Sequence, residues 1–94
     1  DILKIDAEGF DLKVLKGSKN ILGKTEVILI ECAVCNIDTE NSVIEIINYL
    51  DNHNYRIFDI TSIIRPKDNI SFLWELSFVL KDGLIDNFNY FENI

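Results

Sequence analysis

The sequence predicts an α/β fold of about four strands and two main helices, with the first two strands parallel. Three observations carry that prediction. Two short apolar runs, at residues 2–5 and 27–30, are each followed by a stretch with helical apolar spacing. The second run, Val27-Ile28-Leu29-Ile30, has no polar alternation, which predicts a central parallel strand covered on both faces. Residues 73–81 alternate cleanly, as a strand with one covered face does. Ninety-four residues, 48% of them hydrophobic, suffice for one small domain with a core.

The elements follow in order. Residues 2–5 read as a short buried strand that runs into a polar elbow, Asp6-Ala7-Glu8-Gly9. Residues 10–22 read as a helix, with Val14, Leu15, Ser18, Ile21 and Leu22 on one face. Lys13, Lys16 and Lys19 point away from that face, and Asp11 suits the first turn. Gly17 would cost about 1 kcal/mol inside a helix, so it implies close packing or a break before Ser18. Gly23 is a natural helix stop. A second helix spans residues 42–52, where Val43, Ile46, Ile47 and Leu50 keep perfect helical spacing and Ser42 with Glu45 fits a capping box. Residues 55–60 form a strand of mixed pattern. Residues 61–70 hold Arg65, Lys67 and the only proline, Pro66, and read as a loop. In the last strand Trp74, Leu76, Phe78 and Leu80 face one way, and Glu75, Ser77 and Lys81 the other. Residues 82–94 form a loosely docked tail beyond a domain of residues 1–81. A helical crossover makes the first two strands parallel. The last two follow one another without a helix, which favours an antiparallel pair or insertion of the last strand beside an earlier one.

The charge of −7 is uneven. Residues 1–31 carry six acids and five bases, and residues 32–94 carry ten acids and four bases. The chain thus lacks the basic surface that dominates nucleic-acid affinity, which argues against DNA or RNA as a partner. No apolar run approaches the roughly 18 residues of a membrane span. Cys32 and Cys35 form a C-x-x-C that follows a strand, compatible with a thiol redox pair. The plainer reading is two small apolar side chains in a reducing cytoplasm. One histidine, His53, leaves the pair short of the four ligands of a structural zinc site. His53 reads as an exposed cation at a helix end, and Trp74 as core. The chain opens inside a strand pattern and has no methionine, so a fragment of a longer protein is expected.

The run Leu3-Lys4-Ile5-Asp6-Ala7-Glu8-Gly9, followed by Val14-Leu15-Lys16-Gly17 and by the strand ending at Glu31, resembles the FkbM-type family of S-adenosylmethionine-dependent methyltransferases. The resemblance covers roughly residues 2–81. It implies the C-terminal half of a Rossmann-like methyltransferase sheet. This chain would supply strands four to seven, in the local order four, five, seven, six, with the last inserted antiparallel. It also implies S-adenosylmethionine as cofactor of the parent protein. The glycine-containing loop that holds it is absent, as there is no G-x-G in the chain, so this fragment is not expected to bind it well and no cofactor residue is assigned. The implied reaction is methylation, with oxygen of a small molecule, sugar or glycan as acceptor.

Ligands of open α/β sheets gather beyond the carboxyl ends of the strands. That places Asp6 and Glu8 as the catalytic candidates, one of them orienting the acceptor or taking its proton. Glu31, ending the next strand at the same edge, is the substrate-binding candidate. The structural alternatives are concrete. Glu8 could complement the helix N-terminus, Asp6 could pair with Lys4 or a backbone N–H, and Glu31 could be a solvated strand end. Two other functions compete: a non-catalytic α/β module that binds a partner chain, and the thiol redox protein. If the first strand of the parent sheet is missing, one edge of Ile2–Ile5 is unpaired, and self-association there is expected.

Overall fold

The computed structural model describes residues 2–5, 11–18, 20–34, 42–65 and 73–88. Its elements run β1 (Ile2–Ile5), α1 (Asp11–Gly17), β2 (Val27–Ala33), α2 (Val43–Asn52), β3 (Tyr55–Ile64) and β4 (Leu73–Leu80). They form a four-stranded mixed sheet of order β1-β2-β4-β3. β1 and β2 are parallel, in a register from Ile2 opposite Val27 to Ile5 opposite Ile30. β4 is antiparallel to both β2 and β3. The last strand in sequence therefore lies inside the sheet, which is the order expected from the resemblance.

The helices cover one face only. Along β2, Ile28, Ile30 and Cys32 are buried while Val27, Leu29, Glu31 and Ala33 are half-buried. This corrects the expectation that β2 is covered on both sides. Its apolar run is central in the sheet, but on the face away from the helices only Ser77 and Val79 of the neighbouring strand β4 are buried among the described residues. Leu12 and Leu15 of α1 and Ile46 and Leu50 of α2 share a single core with Ile5, Ile28, Ile30, Leu76 and Phe78. The shortest principal extent, 19 Å, matches one sheet plus one helix layer at about 10 Å each.

α1 is shorter than the periodicity predicted. It stops at Gly17, where the Ser18 hydroxyl turns back to the Val14 carbonyl at 2.8 Å. Such a bond competes with the helix ladder. Turns then carry the chain to Gly23, at φ 88°, a left-handed conformation that glycine adopts without strain. Leu12 and Leu15 are buried, whereas Val14 and Ile21, expected on the packed face, are substantially exposed. α2 forms where its pattern placed it. Ser42 Oγ accepts the Glu45 N–H at 3.2 Å. At the other end His53 is the C-cap, its Nδ1 2.7 Å from the Tyr49 carbonyl and its ring stacked on Tyr49 with centroids 4.1 Å apart. It is half-buried, where full exposure was expected.

β3 continues to Ile64, so residues 61–64 are strand and not loop. Its pairing with β4 slips twice, between Ile57 and Asp59 and between Ile60 and Ser62. Phe58 and Thr61 are thus the extra residues of two β-bulges. The bulges re-phase the strand so that Ile57, Ile60 and Ile63 lie opposite Phe78, Leu76 and Trp74, all on the helix-covered side. A spacing of three residues becomes a one-faced apolar stripe, 43%, 42% and 43% exposed.

Candidate functional site

β1 and β2 run parallel and point their carboxyl ends to the same edge of the sheet, where α/β folds bind ligands. Asp6 and Glu8 follow Ile5, the last residue of β1, within three positions; both lie outside the described residues. Glu31 is described. β2 runs on to Ala33, so Glu31 is not its terminal residue but sits two places before the end.

The register of β2 with β4 puts Glu31 directly opposite Glu75, and both side chains stand on the face away from the helices. Facing residues in such pairs have Cβ atoms about 4.5–5.5 Å apart. Two carboxylates that close repel, and cations and donors nearby offset this. Lys4 Nζ of β1 lies 3.8 Å from Glu75 Oε2. Thr61, turned by its bulge, donates to Glu75 Oε1 at 2.7 Å. A polar row thus crosses all four strands: Lys4, Glu31, Glu75, Thr61. Lys4 is well exposed, so its pair with Glu75 contributes at most about 1 kcal/mol. Chemically, the row offers carboxylate acceptors to a hydroxyl or amine, held on regular strands.

Glu75 and Thr61 were not singled out from the sequence. The alternation of residues 73–81 did place Glu75 opposite the apolar face. What was missing is the strand register, which makes Glu75 the neighbour of Glu31. Thr61 was hidden because its segment read as loop.

At the same edge, between the end of β2 and the start of α2, Ala33, Val34, Ser42, Val43, Ile44 and Trp74 line a cleft of about 260 Å³. Trp74 packs against the core, as expected, and is only partly buried. Its Nε1 is buried and has no hydrogen-bond partner among the described residues, a state that would cost about 1–3 kcal/mol. Cys32 is fully buried and its thiol faces the Ile30 carbonyl, with sulfur and oxygen 3.9 Å apart. Cys35, the other half of the proposed redox pair, lies outside the described residues. Burial shields the Cys32 sulfur from a redox partner, which favours its packing role. Among the described residues no helix is long and apolar enough to cross a membrane.

No curated protein and no solved structure matches this chain. A family profile does: that of the Methyltransferase FkbM domain, over residues 1–57.

Proposed function

The chain belongs to the FkbM methyltransferase domain family, and from that premise we propose that it forms the acceptor side of a methyltransferase. The donor is S-adenosylmethionine, and the methylated atom is an oxygen of a small molecule, sugar or glycan. The observation that carries this reading is the acidic elbow Asp6-Ala7-Glu8-Gly9. It follows β1 directly in sequence, and β2, the parallel neighbour of β1, brings Glu31 towards the same edge.

S-adenosylmethionine supplies a methyl group on a sulfonium centre. Among the described residues no loop suits it: the sequence has no G-x-G, and the cleft beside β2 is lined mainly by apolar side chains. The donor is therefore assigned no residue here. What remains for these residues is the acceptor. Asp6 or Glu8 accepts a hydrogen bond from the acceptor hydroxyl, fixes the direction of the oxygen lone pair, and takes the proton as the oxygen becomes substituted. Alignment of this kind accounts for much of the rate in a two-substrate reaction. Glu31 binds a second hydroxyl of the acceptor.

The test uses the whole parent enzyme with Asp6→Asn and Glu8→Gln. A positioned general base contributes roughly 10²–10⁴ in rate. At least one amide variant should therefore lose about 100-fold in kcat while its thermal midpoint stays near that of the parent. Full activity in both variants would sink the assignment. Equal losses of activity and stability would instead place the carboxylates in the architecture of the elbow.

A further inference from the structure

We propose that the outer side of α1, with the turns that follow it, docks on an anionic lipid bilayer. This goes beyond the methyl-transfer reading and does not depend on the chemistry of Asp6, Glu8 or Glu31. The charge comes first. Residues 12–25 hold Lys13, Lys16, Lys19 and Lys24 and no acid, in a chain whose net charge is −7. The fold keeps this stretch together. After α1 the Ile21 and Leu22 N–H groups bond to the Ser18 carbonyl, and the Lys24 and Thr25 N–H groups to the Ile21 carbonyl. Leu12, Leu15 and Leu22 pack on the core, while Lys13, Lys16 and Lys24 are exposed. Lys19 lies outside the described residues.

The acids of the chain do not cancel this charge locally. Lys4, Arg56 and Lys81 are each paired with a carboxylate, whereas Lys16 and Lys24 have no carboxylate partner among the described residues. Glu26, next in sequence after the stretch, is half-buried and takes the Leu84 N–H instead. Glu45 and Asp51 belong to α2, and Asp51 is already paired with Lys81. A helix with its side chains is about 10–12 Å across, beyond the roughly 8 Å over which charges act in physiological salt. The kind of partner follows from what accompanies the lysines. Val14 and Ile21, 41% and 40% exposed, lie among them. Nucleic-acid surfaces rely on arginine forks and on aromatic rings that stack with bases, and residues 12–25 contain neither. Lysines whose stems lie along apolar surface, beside aliphatic side chains, suit the boundary between lipid headgroups and acyl chains.

Flotation of the whole chain with vesicles tests this. Vesicles of equal parts phosphatidylcholine and phosphatidylserine are compared with vesicles of phosphatidylcholine alone. The mixed vesicles should bind about tenfold more tightly or better, and the preference should vanish in 1 M salt, where the screening length falls to about 3 Å. One lysine near an anionic membrane is worth about fivefold in binding, so Lys16→Gln combined with Lys24→Gln should weaken it about 25-fold. Arg65→Gln removes one charge at an exposed position just beyond β3 and should leave binding unchanged. Ile21→Ser should weaken vesicle binding severalfold, because the apolar contact is lost. These positions are exposed, so thermal midpoints should stay near that of the parent chain. The proposal is overturned if the two kinds of vesicle bind alike, or if the double lysine variant binds as the parent chain does. It is overturned as well if Arg65→Gln weakens binding as much as the lysine pair, or if duplex DNA binds as tightly as the mixed vesicles and Ile21→Ser weakens neither.

Discussion

Tyr55 joins separate parts of the chain through one oxygen. Its hydroxyl accepts the Gly23 N–H at 3.0 Å and donates to the Thr25 carbonyl at 2.7 Å. Its ring lies in the core beneath α2. The connection between α1 and β2 has no regular structure to occupy its backbone groups, and Tyr55 satisfies two of them from the first position of β3. Burial pushes the Tyr55 phenol above its ordinary value, with its two backbone hydrogen bonds acting the other way. Tyr55→Phe keeps the ring, opens no cavity of consequence, and strands one donor and one acceptor. Urea unfolding should show a loss of about 1–3 kcal/mol. A loss below about 0.5 kcal/mol would mean that water replaces the hydroxyl without penalty.

At the scale of elements, residues 81–88 illustrate how a segment without helix or strand is held. Arg56 Nε of β3 donates to Asp86 Oδ1 at 2.9 Å, and Asp86 Oδ2 accepts the Asp82 N–H at 3.0 Å. Lys81 pairs with Asp51 of α2. The Asp82 N–H, and after it the Arg56 side chain, hold the Asp86 carboxyl below its usual 3.8. The hydrogen bond from Lys81 does the same for Asp51. A carboxyl whose folded value is depressed favours the fold above its unfolded value, and that advantage is lost as pH falls through the folded value. The docking of residues 81–88 should therefore weaken below about pH 4. Arg56→Gln should raise the Asp86 value only part of the way, because the larger cause is the backbone donor. A side-chain carboxyl titration by NMR reads both effects, and a full return of the Asp86 value to the ordinary one in Arg56→Gln would refute the ordering. The same scale explains what could be read in the sequence. α2 was legible in full because its causes are local: an N-cap at Ser42 and an unbroken apolar spacing. The end of β3 was not, because Ile57, Ile60 and Ile63 repeat every three residues, and only the bulges at Phe58 and Thr61 make that a strand face. The pairing of Glu31 with Glu75 was hidden for a related reason, since register between strands 44 positions apart is set by packing and not by neighbours in sequence.

The whole molecule is a sheet with helices on one face, and its two outer strands are unlike. β3 is bulged twice, a device that blunts pairing with further strands. β1 is short and unbulged, its outer edge pairs with no strand among the described residues, and Ile2 is exposed. β1 is therefore the edge expected to accept another strand, such as one from a second copy. Sedimentation of this chain should show self-association, and hydrogen exchange should be slow in β4 and fast in β1 of the monomer. A stable monomer with β1 as well protected as β4 would rule this out. The central position of β4 has one more consequence, for the order in which the fold can close. β2 and β3 do not pair with each other; each pairs with β4 between them. Strands lie about 4.8 Å apart, so β4 fills a slot roughly 10 Å wide between β2 and β3, and β3 has no strand partner until residues 73–80 have been made. Until then Ile30 and Ile60 lack their shared neighbour Leu76, and the nascent protein is exposed to any foreign strand that fits the slot first.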